Sequence, residues 1–88
     1  MNKQRRKDLF KATVALMAAQ EALDDAKAIV EQAHGEEEEY YETMPENFQF
    51  GDKGEVAQAA IDAMQEALDA FDEIDLGQVE DCINTATE

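Results

Sequence analysis

Apolar residues recur at regular intervals along the first half of the chain. One set repeats every seven residues, and an alanine follows each of its members by three positions: Leu9, Leu16, Leu23 and Val30, with Ala12, Ala19, Ala26 and Ala33. Four successive heptads of this kind predict a long helix over about residues 5–43, and the alternation of large and small side chains lets another helix approach closely. A second apolar set widens this face beyond what one partner helix covers: Phe10, Val14, Met17 and Ile29.

Helix-breaking residues are concentrated in one segment, residues 44–54, which holds the only proline and two of the four glycines. We therefore predict a loop there. A second periodic stretch follows over about residues 55–75, with apolar residues spaced alternately by three and four: Ala57, Ile61, Met64, Leu68 and Phe71. Asp75 and Gly77 interrupt this stretch, which predicts a kink or break and then a short helix over about residues 78–86.

These patterns predict an all-α fold, a long antiparallel helical hairpin in a single domain of residues 1–88, with a kinked or short third helix at its C-terminal end. A chain of 88 residues buries only a modest core, and a lone cysteine, Cys82, cannot form an internal disulfide. We therefore expect self-association to contribute to stability. The second apolar set is predicted to pair with another copy, which would give a homodimer in the form of a four-helix bundle.

Charge is distributed unevenly along the chain, which has 22 acidic and 7 basic residues and a formal net charge of −15. Five of the basic residues lie within the first eleven positions: Lys3, Arg5, Arg6, Lys7 and Lys11. Basic residues at the start of a helix interact unfavourably with the helix dipole. In an antiparallel hairpin this basic end would lie beside Glu80, Asp81 and Glu88, and attraction between the opposite charges would offset that cost. The remaining surface is strongly acidic. It disfavours direct binding to nucleic acid or to anionic membrane and favours a basic protein surface as the partner.

Motifs for catalysis, cofactors and membranes are missing from the sequence. We find no nucleophile–base pairing, no glycine-rich phosphate loop and no nucleotide fingerprint, so we predict neither an enzyme nor a cofactor. Glu31 and His34 have the spacing of a di-iron motif, but the core positions Val30 and Ala33 turn them to the flank, so no metal site is predicted. No apolar run approaches the roughly 18–20 residues of a membrane span, and we expect a cytoplasmic protein.

One face of the second helix is predicted to present a row of carboxylates. Asp62, Glu66, Asp69 and Glu73 follow spacings of four, three and four, which puts them on one side of a helix about 5–6 Å apart. Residues 55–88 contain no lysine or arginine, although an ordinary solvent face usually intersperses them. The ordinary explanation is a soluble polar face. The alternative is that the row imitates the phosphates of a nucleic-acid strand and enters the groove of a protein that binds nucleic acid.

A second candidate surface lies at the end of the first helix and in the loop. It combines an acidic run with aromatic residues: Glu36, Glu37, Glu38, Glu39, Tyr40, Tyr41, Phe48 and Phe50. Its acidic part is interpretable as a solvated helix end. The loop residues Met44, Phe48 and Phe50 are interpretable as a cap that covers Ala57 and Ile61. The other interpretation is a contact for a basic partner, with the aromatic side chains as anchors.

The loop and its flanks carry a family resemblance. The segments are Glu36–Tyr41, then Met44-Pro45-Glu46-Asn47-Phe48-Gln49, then Gly51–Glu55, together with the basic start Arg5-Arg6-Lys7. With these features the chain resembles small acidic helical-hairpin proteins of bacteriophages and prophages. The resemblance implies a phage or mobile-element origin, but it transfers no functional residues. Phages often use small acidic proteins to block host defence nucleases, so it favours an inhibitor.

Three functions follow as hypotheses. The first is a non-enzymatic acidic protein that blocks a nucleic-acid-binding host defence protein, such as a CRISPR effector or a restriction enzyme. The second is a self-associating structural or assembly protein. The third is an oligomeric sponge for a signalling nucleotide, which the negative charge disfavours because it repels phosphates everywhere except at the basic N-terminal end.

Overall fold

The computed structural model describes all 88 residues, and 88% of them are helical. There are four helices in chain order: α1 (Lys3–Glu42), α2 (Glu46–Gln49), α3 (Asp52–Asp72) and α4 (Leu76–Thr87). No strand is present, so the predicted all-α class is confirmed.

Helix α1 is long because its sequence is rich in good helix formers and contains no proline. Asn2 caps its start, where the side-chain Oδ1 accepts a hydrogen bond from the backbone N–H of Arg5 at 2.8 Å. The helix ends at Glu42. Pro45 explains this end, because its ring disfavours the helical conformation at Met44 and it has no N–H to donate.

The segment predicted as a loop contains more helix than expected. Pro45 is extended, with φ −55° and ψ 145°, and α2 forms one turn directly after it. Helix α3 then begins at Asp52, three residues before the predicted start near 55. Asp52 and Glu55 lie in the first turn of α3, where carboxylates interact favourably with the helix dipole, so the earlier start has a physical reason.

Close packing of α2 against α3 depends on Gly54. This residue is buried, and a Cβ built on it would overlap the backbone carbonyl group of Gln49. The Gln49 side chain also donates from Nε2 to the carbonyl oxygen of Tyr41 at 2.9 Å. The short helix α2 therefore links the end of α1 to the start of α3.

The predicted break before the last helix is present. Helix α3 ends at Asp72 and α4 begins at Leu76. The break coincides with a helix cap, because Asp75 accepts a hydrogen bond at Oδ1 from the backbone N–H of Gln78 at 3.0 Å. Gly77, in contrast, lies within the first turn of α4.

The chain forms two compact units, each made of antiparallel helical segments. The first comprises residues 1–25 and 74–88, and the second comprises residues 26–73. In the first unit one cleft is lined from both ends of the chain, by Arg6, Phe10 and Thr13 and by Ile83, Asn84 and Thr87. In the second unit Lys27 Nζ lies 2.7 Å from Asp72 Oδ1. Both pairings join early residues to late ones, as the predicted helical hairpin requires.

The apolar seam is thinner than predicted. All eight large residues expected to be buried are only half-buried: Leu9, Leu16, Leu23, Val30, Ile61, Met64, Leu68 and Phe71. Ala57, which is 2% exposed, is the only buried apolar residue, while Ala19 and Ala33 are exposed. Two helices cover each other on one side only, so a seam between them keeps contact with water along its edges.

Candidate functional site

Helix α3 carries the predicted row of carboxylates, which we call the α3 acidic row. Asp62, Glu66 and Asp69 lie within the helix, and Glu73 is its C-terminal cap. The backbone of Glu73 is helical, with φ −82° and ψ −13°, so the row continues to this residue without a change of direction. All four side chains are exposed.

Two carboxylates of the row accept hydrogen bonds from uncharged glutamine side chains. Gln58 Nε2 donates to Asp62 Oδ1 at 2.9 Å, and Gln65 Nε2 donates to Asp69 Oδ1 at 3.0 Å. These contacts restrict the carboxylates but leave their charge uncompensated. Our sequence prediction missed both glutamines, although their spacing of four residues from an aspartate on a helix is the signal that identifies such pairs.

Few cations lie near the α3 acidic row. The only lysine of α3 is Lys53 in the first turn, and its Nζ lies 5.3 Å from the centre of the Phe48 ring. It precedes Asp62 by nine residues, or about 13 Å along the helix axis. The other nearby lysine, Lys27, pairs with Asp72, which is not a member of the row. The row is therefore a strip of four carboxylates on a helix that carries a single lysine, in its first turn.

The acidic run at the end of α1 does not form one face. Glu36 and Glu39 are exposed, whereas Glu37 and Glu38 are half-buried. Consecutive helical residues are about 100° apart, so four in a row wrap around the axis. Glu38 Oε1 also lies 2.7 Å from His34 Nδ1, so the Glu38 side chain contacts a residue of its own helix.

The aromatic residues of the second candidate surface are spread over different places. Tyr40 is 53% exposed and lines a cleft with Val56 and Ala57, among others. Tyr41 is half-buried, in a separate cleft beside Ile61. The structure thus separates the two tyrosines that the sequence places side by side.

The expected aromatic cap over Ala57 and Ile61 is wrong in part. Phe50 is 80% exposed, so it covers neither residue, while Phe48 is 44% exposed and lies against Lys53. The cause is the helical turn of α2, in which residues two apart point in nearly opposite directions.

The basic end of α1 remains unpaired within the chain. The sequence predicts attraction to Glu80, Asp81 and Glu88, but no ion pair joins them to the five basic residues of this end. The side chains of α4 that line the cleft with Arg6 are uncharged: Ile83, Asn84 and Thr87. The antiparallel arrangement is as expected, but the predicted ion pairs between the basic end and α4 are not formed.

No group of three or more His, Cys, Asp or Glu side chains is arranged to hold a metal ion. No helix reaches the combination of length and apolar character that a membrane span requires.

Comparison of the chain with family models, with curated proteins and with solved structures gives no match. The chemistry of the exposed surfaces therefore carries the functional argument.

Proposed function

We propose that this protein is a non-enzymatic inhibitor that occupies the basic surface of a nucleic-acid-binding protein. The observation that carries the proposal is the α3 acidic row, four exposed carboxylates on one face of a helix whose only lysine lies in its first turn. An ordinary solvent face mixes both signs of charge, whereas a surface that replaces nucleic acid needs one sign only.

The spacing of the row is of the same order as that of phosphates. From Asp62 to Glu73 the helix rises about 16 Å, or about one carboxylate per 5.5 Å. A DNA strand carries one phosphate per 3.4 Å of its axis, as a general property of the duplex. The row is somewhat less dense in charge, but the helix holds it rigid and Gln58 and Gln65 restrict two of its four side chains.

Electrostatics favours binding to a groove that has evolved to hold phosphates. Such a groove concentrates Lys and Arg, and a complementary acidic surface accelerates association and selects against wrong partners. The net charge of −15 adds long-range attraction to any basic partner. Direct binding to nucleic acid is disfavoured for the same reason.

The proposed target is a host defence protein, such as a CRISPR effector or a restriction enzyme, and the proposed place of action is the cytoplasm. This part of the proposal depends on the resemblance to small acidic phage and prophage proteins. The charge argument specifies only a basic nucleic-acid-binding surface.

A capture experiment tests the proposal. The immobilised protein is exposed to bacterial lysate at low salt and at about 0.5 M salt, where charge interactions across an exposed surface are screened. We expect salt-sensitive capture of a protein that binds DNA or RNA. The variant Asp62→Asn, Glu66→Gln, Asp69→Asn, Glu73→Gln removes the charge of the row with nearly the same shape, and it should lose this capture.

The chain offers a matched control. Changing Glu36, Glu37, Glu38 and Glu39 to Gln removes the same amount of charge from α1 and should leave capture largely intact. If the α1 variant loses the target and the α3 variant keeps it, the α3 acidic row is not the binding surface. Capture of the same target by both variants would mean that neither acidic cluster matters.

A further inference from the structure

The first unit leaves a largely exposed apolar face on α1. Three apolar side chains form its centre, with exposures of 68% for Phe10, 51% for Val14 and 62% for Met17. On the helix they are rotated on average by roughly 120° from the half-buried residues Leu9 and Leu16, since each position turns by about 100°. This face therefore lies beside the seam, where Phe10 borders the cleft to Ile83, and most of its apolar surface stays in contact with water.

Charged residues extend this face at both ends, with opposite signs. Lys3 and Lys7 continue its spacing of three and four on the N-terminal side, and Glu21 and Asp24 continue it on the C-terminal side. All four are exposed, and none forms an ion pair within the chain. We call these four residues, together with Phe10, Val14 and Met17, the α1 stripe. Along the helix it runs from basic through apolar to acidic.

We propose that the α1 stripe binds the same stripe of a second copy, with the two α1 helices antiparallel about a two-fold axis at Val14. An isologous interface requires a surface that complements itself when rotated, and the charge order of the stripe meets this requirement. Phe10 would face Met17 of the second copy. Lys7 would face Glu21 of the second copy, and Lys3 would face Asp24.

A parallel arrangement does not fit the same residues. It would place Lys7 opposite Lys7 and Glu21 opposite Glu21, and like charges across an interface are unfavourable. The antiparallel arrangement also accounts for the unpaired basic end, since α4 presents only uncharged side chains to the cleft at Arg6. This inference does not depend on the proposed function, because it concerns another helix and another partner.

Burial supplies a second argument for a second copy. One buried alanine is a very small core for 88 residues, and chains of this size usually need a further source of stability. Covering the apolar centre of the stripe on both copies removes six large side chains from water. The same step brings charges of opposite sign together at each end.

Analytical ultracentrifugation over a range of concentrations, at about 0.15 M salt, tests the proposal. We expect a reversible dimer with twice the 9.8 kDa mass of one chain. Val14→Asp should abolish it, because two carboxylates would meet at the axis. Val56→Asp is a matched control, since Val56 is 70% exposed on α3 and outside the stripe. It should dimerise normally.

Charge exchange tests the register. Lys3→Glu with Lys7→Glu should weaken the dimer by roughly tenfold or more, since both ends of the interface become purely acidic. Glu21→Lys with Asp24→Lys should weaken it as well, although this change lowers the overall negative charge. Mixing the two double variants should restore a dimer of normal affinity. The mixed pair has the same total charge as the wild-type pair, so the rescue shows that the two stripes face each other. The weakening of each double variant alone tests the antiparallel register, because a parallel dimer would have like charges facing each other with or without the changes.

Circular dichroism of each variant is the control for folding. We expect every variant to remain helical, because the changes are at exposed positions. Several results overturn the proposal. These are a monomer at all concentrations, double variants that dimerise as well as the wild type, and a mixture that fails to dimerise.

Discussion

At the scale of single residues, two glycines that each lie inside a helix have opposite roles. Gly35 lies inside α1, and a Cβ added to it would meet nothing within 4 Å. Gly54 lies in the first turns of α3, where the backbone of Gln49 occupies the space of a side chain. The sequence predicted a loop at Gly54, and only the packing of α2 on α3 shows why this position needs a glycine. That packing could not be predicted, because the segment was expected to be a loop.

This difference predicts opposite effects of the same substitution. Gly54→Ala should destabilise the protein by about 1–3 kcal/mol, because the backbone of α2 must move to admit the methyl group. Gly35→Ala should stabilise it by up to about 1 kcal/mol, since alanine is the better helix former and space is available. Urea denaturation of both variants measures these changes. An equal effect of the two substitutions would show that α2 does not pack on Gly54 as described.

At the scale of elements, the periodicity of apolar residues was sufficient to predict the helices. The heptads of α1 and the spacing of three and four in α3 identify both elements, and the break at Asp75 was visible in sequence. The ends of the elements were less certain. Asn2, Pro45 and Asp75 define them through caps and backbone restrictions, and the turn of α2 follows Pro45 with no apolar periodicity to reveal it. The burial of the seam residues was overestimated. Periodicity shows which face of a helix is apolar, but not how many other helices pack against that face.

The half-buried seam predicts a moderate cost for removing one of its leucines. Leu23→Ala should lower the free energy of unfolding by about 1 kcal/mol, below the roughly 2–5 kcal/mol typical of a fully buried leucine. Val56→Ala, at a position 70% exposed on α3, should change it very little. Chemical denaturation at low protein concentration gives both values. A loss well above about 2 kcal/mol for Leu23→Ala would mean that the seam is covered more completely than the structure describes.

At the scale of the whole molecule, basic and acidic residues are separated along the chain. The basic residues gather at the start of α1, and α3 and α4 carry no cation after Lys53. The position of the α3 acidic row was predictable, because a regular helix converts spacing directly into a face. The position of Lys27 near this helix was not, since Lys27 is distant in sequence and reaches Asp72 only through the fold. The second candidate surface was less predictable, because consecutive residues of a helix do not share a face.

Displacement of nucleic acid from the captured target tests the central claim most directly. The target is bound to a fluorescent duplex or guide-containing complex, and anisotropy is followed as the protein is added. We predict that the protein releases the labelled nucleic acid, and that the variant lacking the four charges of the α3 acidic row does not. The variant lacking the charges of Glu36–Glu39 should release it as the wild type does. A stable complex containing the target, the nucleic acid and this protein together would contradict the account, because two ligands cannot occupy one groove.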